Sequence, residues 1–136
     1  DDQDFTHERL RQGQVLGCVS TVPQALRGCR VAALGVMRYV AVASPGFVER
    51  QLGGDAAGGL HRGNFARLPF LVFNRKDDMQ AQWVARAFGI KGPRLEERFV
   101  PSSEAYARAA TLGWGIGVLP ELQVRERLAR GELLQL

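Results

Sequence analysis

Residues 102–120 have the sequence SSEAYARAATLGWGIGVLP, and this stretch decides the fold class of the chain. Ser102 is a good N-cap for a helix over residues 103–112, because its hydroxyl can accept a hydrogen bond from a free amide of the first turn. A glycine-rich run and an apolar segment, residues 116–119, follow the helix and are typical of a buried strand that ends at Pro120. A helix N-terminus carries free N–H groups and a partial positive charge, and both suit a bound carboxylate. The stretch therefore indicates an α/β domain that binds a small molecule.

The rest of the chain alternates between amphipathic and apolar segments. Further helices are predicted over residues 6–12, 45–52, 79–88 and 120–130. Further strands are predicted over residues 15–19, 31–36, 39–43, 69–73, 95–100 and 132–136. Because helices of this length separate the strands, we expect parallel pairing with right-handed crossovers. The predicted fold class is therefore α/β.

Two of the predicted helices have recognisable ends. Ser44 is an N-cap followed by Pro45 at the first helical position, where proline is favoured. The next helix is expected to be capped by Asp77 or Asp78 and to end at Gly89. Its apolar face is predicted to carry Met79, Trp83, Val84, Ala87 and Phe88.

Polar loops follow three of the predicted strands. They are Ser20-Thr21, residues 74–78 and Ser102-Ser103. In open α/β sheets, ligands bind outside the carboxyl ends of the strands, where loops such as these emerge. The three loops together are therefore the candidate binding site.

The composition allows one modest domain or two small lobes. The chain has 136 residues, of which 46% are hydrophobic, so it can bury a real core but not two large ones. Its formal net charge is +4, and its arginines are scattered along the chain and not clustered with aromatic residues. A mildly basic, solvated surface explains this pattern better than a nucleic-acid-binding patch.

The two cysteines, Cys18 and Cys29, are too few for a disulfide scaffold and lack the spacing of metal ligands. Cys18 lies in an apolar run, so we expect it in the core, which favours a cytoplasmic protein. No apolar segment approaches the length needed to span a membrane, and no signal peptide opens the chain. We therefore predict a cytoplasmic protein with no membrane contact, no metal and no cofactor.

The order of three segments resembles the effector-binding domain of LysR-type transcriptional regulators. The segments are RLRQGQVLGCVS (residues 9–20), LGVMRYVAVASP (residues 34–45) and GIGVLP followed by LARGEL (residues 115–120 and 128–133). Three more stretches are similar to the subgroup that controls the export of arginine and lysine. They are VPQAL (residues 22–26) with Cys29, FNRKDDMQ (residues 73–80) and SSEA (residues 102–105). The resemblance covers nearly the whole chain and rests on the order and spacing of these motifs.

This resemblance implies a two-lobed α/β effector domain of the periplasmic-binding-protein type, with an incomplete first lobe. Residues 1–39 are then part of the first lobe, and residues 40–136 are a nearly complete second lobe. The DNA-binding winged helix-turn-helix of the family is absent from the chain, which begins abruptly at Asp1, so we expect a piece of a longer protein. The full-length protein is expected to contact DNA through that missing domain, to form homo-oligomers and to be a regulator without enzymatic activity.

The same resemblance implies that the effector is lysine or arginine. Such an amino acid carries one carboxylate and two cations, so its site needs an anion-binding feature and an acidic partner. Ser102 and Ser103 suit the carboxylate, and Ser20 and Thr21 are expected to complete the site. The candidate partners of the cations are Asp77, Asp78 and Glu104. The sequence leaves open which acid pairs with which cation, and whether the two aspartates only cap their own helix.

Two other functions fit the same architecture. A solute-binding protein of a transport system shares the two-lobed fold. A signal peptide upstream of Asp1 would identify it, whereas a helix-turn-helix there would identify a regulator. An enzyme on this fold would use Asp77 and Asp78 as paired carboxylates, and turnover of a substrate would identify it.

Catalytic motifs are weak in this chain. Gly113, Gly115 and Gly117 have the spacing of a dinucleotide fingerprint but precede a strand and not a helix. The Ser102-Ser103 pair lacks a nucleophile elbow, and neither histidine is an evident base for it. A redox pair of the two cysteines is a further alternative.

Overall fold

The computed structural model describes residues 6–136, and residues 1–5, with the abrupt start at Asp1, lie outside the described residues. The helices are α1 (Thr6–Arg11), α2 (Pro45–Leu52), α3 (Met79–Phe88), α4 (Ser103–Thr111) and α5 (Glu121–Ala129). The strands are β1 (Tyr39–Ala43), β2 (Pro69–Val72), β3 (Glu96–Phe99), β4 (Gly117–Pro120) and β5 (Leu134–Gln135). Each of the predicted helices is confirmed, because its ends agree with the prediction to within one residue.

The ends of α2 and α3 follow the predicted start and stop signals. The Ser44 hydroxyl accepts a hydrogen bond from the Phe47 N–H at 3.1 Å, and Pro45 occupies the first turn of α2. Gly89 ends α3 with φ 63°, a left-handed conformation that glycine adopts without steric cost. Local capping chemistry therefore sets where these helices begin and end.

The apolar face of α3 agrees with the prediction at Met79, Trp83, Val84 and Phe88, which pack in the core, and differs from it at Gln80 and Ala87. Its buried side chains are Gln80 and Val84, which are four residues apart and so lie on the same face of the helix. Ala87, which was expected on the apolar face, is exposed, so that part of the prediction is wrong. A pattern of apolar residues cannot identify a buried glutamine, because hydrogen bonds compensate for its burial.

The strands form a three-stranded and a two-stranded sheet, which one bridge joins into a continuous mixed sheet, and not the all-parallel sheet expected from the sequence. Strands β4, β1 and β5 pair in that order, and β1 is antiparallel to both neighbours. Strands β2 and β3 are parallel, and a parallel bridge between Phe70 and Ile116 connects them to β4. The crossover rule constrains strands that are joined through a single helix, whereas β1 pairs with strands that lie several elements away along the chain. Its direction is therefore not fixed by local connections.

Strands β2, β3 and β4 end on the same side of the sheet. Because all three run in the same direction, Val72, Phe99 and Pro120 lie along one side, which we call the carboxyl edge. Strand β1 runs the other way, so Tyr39 begins it opposite Pro120 at the carboxyl edge. Ser44 follows β1 on the opposite edge of the sheet. The loops after β2 and β3 are therefore neighbours, as the sequence predicted.

The core lies on both faces of this sheet. Ala41 and Ala43 of β1 pack with residues of α2 and α3 on one face. Val40 and Val42 pack with residues of α4 and α5 on the other face. This alternation is the period of two that a strand imposes on its side chains. The arrangement of helices on both faces of a central sheet is an α/β fold, as predicted.

The chain divides into two compact units, Asp1–Val36 and Met37–Leu136. In the first unit, the described residues contain α1 but no strand, so the strands predicted over residues 15–19 and 31–36 are wrong. A strand requires a hydrogen-bonded neighbour, and residues 6–36 provide none. Cys18 is half-buried and not part of a core, contrary to expectation, and both cysteines are free. The assignment of the two units to a first and a second lobe remains a prediction.

Candidate functional site

The loops after β2 and β3 meet at the carboxyl edge. The Val100 N–H donates to the Val72 carbonyl at 2.8 Å, which extends the β2–β3 pairing to the start of both loops. Ser102 and the first turn of α4 follow Val100 after a single residue, Pro101. The structure thus brings two of the three predicted polar loops together, namely residues 74–78 and Ser102-Ser103.

Ser102 caps α4 as predicted. Its hydroxyl accepts a hydrogen bond from the Ala105 N–H at 3.3 Å, and its backbone is extended, with φ −148° and ψ 124°. Ser102, Ser103 and Glu104 are all exposed. The cap uses one acceptor of Ser102 and the amide of Ala105, so the hydroxyl proton of Ser102 and the N–H groups of Ser103 and Glu104 remain for a ligand at the carboxyl edge.

Asp77 is the hydrogen-bonding centre of the loop after β2. Its Oδ2 accepts hydrogen bonds from the Phe73 N–H at 2.9 Å and from Gln80 Nε2 at 3.0 Å. Its Oδ1 accepts from the Met79 N–H at 3.3 Å. Asp78 occupies the N-cap position of α3, yet its side chain makes no capping hydrogen bond and is exposed. Of the two candidates, Asp77 is therefore the residue that stabilises the start of α3.

The carboxylate of Asp77 carries a charge that no cation of the described residues neutralises. The ion pairs within residues 6–136 involve other acids: Glu8, Glu96, Glu121 and Glu126. Asp77 is half-buried, so water compensates its charge less than it does for an exposed acid. A half-buried, unpaired carboxylate held by three donors is suited to bind a positively charged group.

Besides burial, the charge of Asp77 contributes to the raised pKa values of two tyrosines, Tyr39 and Tyr106. Burial raises the pKa of Tyr39, and the negative charge of Asp77 raises it further. Burial also raises the pKa of Tyr106 to about 12, with hydrogen bonds from Val118 and Gln80 opposing the rise and Asp77 adding to it. Tyr39, at the start of β1, is only half-buried, whereas Tyr106 is 3% exposed. Asp77 is therefore close enough to both hydroxyl groups to interact with them electrostatically.

Glu104 faces a different environment from Asp77. It lines a depression of about 250 Å³ at the surface between α4 and α5, together with Ser103, Ala107, Gln123 and Arg127. Arg127 adds a positive charge to the lining of the same depression, and this charge opposes the binding of a ligand cation there. Glu104 is therefore a weaker attractor for a ligand cation than Asp77.

Ser20 and Thr21 belong to the other unit, Asp1–Val36. The Ser20 hydroxyl accepts a hydrogen bond from the Val22 N–H at 3.1 Å, which forms a local turn. Thr21 is exposed. The structure shows no more than this local turn, so the expected contribution of both residues to a binding site stays a prediction.

Two other features to consider within residues 6–136 are membrane-spanning helices and metal sites. None of their helices has the length and apolar character required to cross a membrane. Within the same range, no cluster of three or more histidine, cysteine, aspartate or glutamate side chains is arranged to hold a metal ion.

Comparison with known proteins decides the family. The sequence pattern of the LysR substrate binding domain matches residues 1–136. The chain belongs to this family. It is 41% identical over 136 residues to the HTH-type transcriptional regulator ArgP of Aeromonas salmonicida and covers 44% of that protein. The chain therefore spans less than half the length of this curated relative.

Solved structures of LysR proteins agree with the assignment. The crystal structure of ArgP from Mycobacterium tuberculosis matches 99% of this chain and 45% of its own, with a TM-score of 0.88 and 37% identity. The full-length regulator LysG from Corynebacterium glutamicum, solved with bound effector Arg, matches 100% of this chain and 45% of its own. Its TM-score is 0.82, and its sequence identity is 32%. These matches confirm the predicted effector-domain fold, of which this LysR chain covers a part.

Sequence reasoning missed three residues of this LysR domain that contribute to the site. They are Tyr39, Gln80 and Tyr106. Gln80 and Tyr106 are each a polar residue at a position of the buried helix face, next to Val84 in α3 and to Ala109 and Ala110 in α4. Such an interruption of an apolar face is the one signal in the sequence that points to a buried polar contact.

Proposed function

We propose that this chain is the effector-sensing part of a LysR-type transcriptional regulator and that its effector is free arginine or lysine. In this proposal the protein acts in the cytoplasm by binding and not by catalysis. It contacts DNA through a domain outside residues 1–136 and works as a homo-oligomer. The observation that carries the proposal is the match to LysG with bound effector Arg, which extends over the whole of this chain.

The carboxylate of the amino acid is assigned to the start of α4. Free N–H groups of the first turn and the exposed hydroxyls of Ser102 and Ser103 are donors for an anion there. The partial positive charge of the helix N-terminus adds to the attraction. This end of α4 lies at the carboxyl edge, beside the loop that holds Asp77.

A cation of the amino acid is assigned to Asp77 in preference to Asp78 and Glu104. Asp77 Oδ1 accepts a single hydrogen bond within residues 6–136, so it has a lone pair available for a ligand N–H. The three donors already orient the carboxylate, which lowers the cost of ordering it when the ligand binds. Asp78 is exposed and its charge is screened by water, whereas Glu104 shares its surroundings with Arg127.

Effector binding would act on transcription through a change of conformation. A ligand that binds one conformation more tightly than another shifts the population toward the first. The ratio of the two affinities sets how far the population shifts. This shift in conformation is what would alter the DNA-binding part of the protein. Asp77 and the start of α4 supply the contacts through which arginine or lysine would make that difference.

We expect arginine and lysine to raise the melting temperature of the full-length protein. A ligand at about one hundred times its Kd stabilises a protein by roughly 2.7 kcal/mol. Their decarboxylated amines lack the group that binds at α4, and norleucine lacks the side-chain cation, so we expect both to stabilise the protein less. Thermal-shift measurements on this ligand series test the proposal. If norleucine raises the melting temperature as much as arginine does, the side-chain cation plays no part in binding. If neither arginine nor lysine raises it, the effector assignment is wrong.

Ser102→Ala is expected to lower the free energy of unfolding by about 0.5–2 kcal/mol, because α4 loses its N-cap. The same substitution should weaken arginine binding, since it removes a hydroxyl donor at the carboxylate position. Ser44→Ala is the control for arginine binding, because it removes the buried cap of α2 at the opposite edge of the sheet. Denaturation and calorimetry separate the two effects. An unchanged unfolding midpoint for Ser102→Ala rejects the cap, and equal arginine affinities for the two variants reject the carboxylate assignment.

A further inference from the structure

We infer that Gln80 is a positioning residue that holds the carboxylate of Asp77 in place for the effector's cation. The inference rests on the proposed function, since it concerns the role of Asp77 in that site. Gln80 is the second residue of α3 and is 2% exposed. Its Nε2 donates to Asp77 Oδ2 at 3.0 Å and to Tyr106 Oη at 3.0 Å. One buried amide group therefore connects the candidate ligand-binding acid to the core.

The surrounding groups fix the orientation of the Gln80 amide. The Tyr106 hydroxyl donates its proton to the Leu71 carbonyl at 2.6 Å and accepts from the Val118 N–H at 3.1 Å. It therefore has one acceptor position left and no proton to give. The ionised Asp77 is also only an acceptor. A reversed amide would face two acceptors with an oxygen, so Nε2 must point toward Tyr106 and Asp77.

This orientation leaves the Gln80 carbonyl oxygen without a partner. Gln80 Oε1 is buried and accepts no hydrogen bond from the described residues. A buried acceptor without a donor destabilises the folded state, and an apolar side chain of similar size would avoid that loss. The unpaired oxygen therefore offsets part of the stabilisation that the bond to Tyr106 contributes. The hydrogen bond to Asp77 gives the glutamine a second role, which reaches the candidate site.

The bond from Gln80 is the connection that ties Asp77 to the sheet through side chains. A series of hydrogen bonds runs from the Leu71 carbonyl in β2 through Tyr106 and Gln80 to Asp77 Oδ2. Without Gln80, the carboxylate keeps its bonds from the N–H groups of Phe73, directly after β2, and of Met79, the first residue of α3. Its hydrogen-bonded connection to α4, which runs through Gln80 to Tyr106, is lost, so its position relative to α4 is held less firmly.

Gln80→Met tests the inference on the full-length protein, with arginine as the ligand. Methionine fills a similar volume and removes the unpaired carbonyl, which offsets the loss of the hydrogen bond to Tyr106, so we expect the unfolding midpoint to change little. We expect the Kd for arginine to become about ten-fold weaker, the loss that corresponds to one hydrogen bond to a charged group. Denaturation and titration calorimetry measure the two quantities. A lower midpoint with unchanged arginine affinity would show that Gln80 has only a structural role and would overturn the inference.

A double-mutant cycle with Asp77→Asn separates this inference from the proposed function. Gln80→Met should have no further effect on arginine affinity in the Asp77→Asn background, because its effect passes through that carboxylate. If Asp77→Asn alone leaves arginine affinity unchanged, the cation assignment fails and this inference fails with it. If Asp77→Asn weakens binding but Gln80→Met does not, only the inference about Gln80 is overturned. Gln80→Leu serves as a second apolar variant, and the same outcomes apply to it.

Discussion

Tyr106→Phe is expected to lower the free energy of unfolding by about 2–4 kcal/mol, because the loss of one hydroxyl leaves several buried groups unpaired. The hydroxyl accepts hydrogen bonds from Val118 N–H and Gln80 Nε2 and donates to the Leu71 carbonyl, and all of these contacts are buried. Tyr39→Phe is the matched control. The Tyr39 hydroxyl is only half-buried and forms no hydrogen bond within residues 6–136, so we expect a loss below about 0.5 kcal/mol. Equal losses for the two variants in urea denaturation would contradict this account of the core.

The same hydroxyl makes the stability depend on alkaline pH. Burial raises the pKa of Tyr106 to about 12 in the folded protein, above the ordinary value of 10.0. The resulting stabilisation is complete below pH 10 and is lost as the pH rises from 10 to about 12, since the unfolded chain releases its proton first. Two pKa units correspond to roughly 3 kcal/mol. In Tyr106→Phe, the decline of stability over this pH range should be smaller than in the unchanged protein.

Asp77→Asn is expected to weaken arginine binding by roughly 30- to 150-fold, or about 2–3 kcal/mol, because it removes the negative charge that pairs with a ligand cation. Asp78→Asn is the matched control, since it makes the same chemical change at the next residue. Asp78 is exposed and forms no capping hydrogen bond, so we expect less than about a three-fold change. Titration calorimetry of both variants with arginine gives the comparison. If Asp78→Asn weakens arginine binding more than Asp77→Asn does, the assignment of the cation to Asp77 is wrong.

The helices of this chain could be predicted from the sequence because their ends depend on neighbouring residues. Ser44 followed by Pro45 begins α2, Ser102 begins α4, and Gly89 ends α3. Each of these signals acts over a few residues, through a capping hydrogen bond or a left-handed backbone conformation. The strands of the unit Met37–Leu136 were found for a similar reason, since apolar runs mark them.

Strand pairing could not be predicted in the same way. The direction of β1 depends on β4 and β5, which are distant along the chain, and no local pattern encodes it. The apolar runs over residues 15–19 and 31–36 have the composition of strands, yet residues 6–36 offer them no partner. Composition indicates that a segment favours a strand, but hydrogen bonds to a second segment are needed to form one.

The same distinction between local and long-range contacts applies to the candidate site. The cap by Ser102 and the helix-stabilising role of an aspartate before α3 are local, and the sequence indicated both. Gln80 and Tyr106 bond to each other across 26 residues, and Tyr106 bonds to Leu71 across 35. Contacts at this separation arise only from the fold, so sequence reasoning could not place Gln80 beside Asp77.

A crystal structure of the full-length protein with bound arginine tests the central claim most directly. The account predicts that the arginine carboxylate accepts hydrogen bonds at the start of α4, from Ser102, Ser103 and the first-turn amides. It also predicts a guanidinium or amino group within hydrogen-bond distance of Asp77 Oδ1. Arginine bound away from both Asp77 and the start of α4 would contradict the assignment of this site.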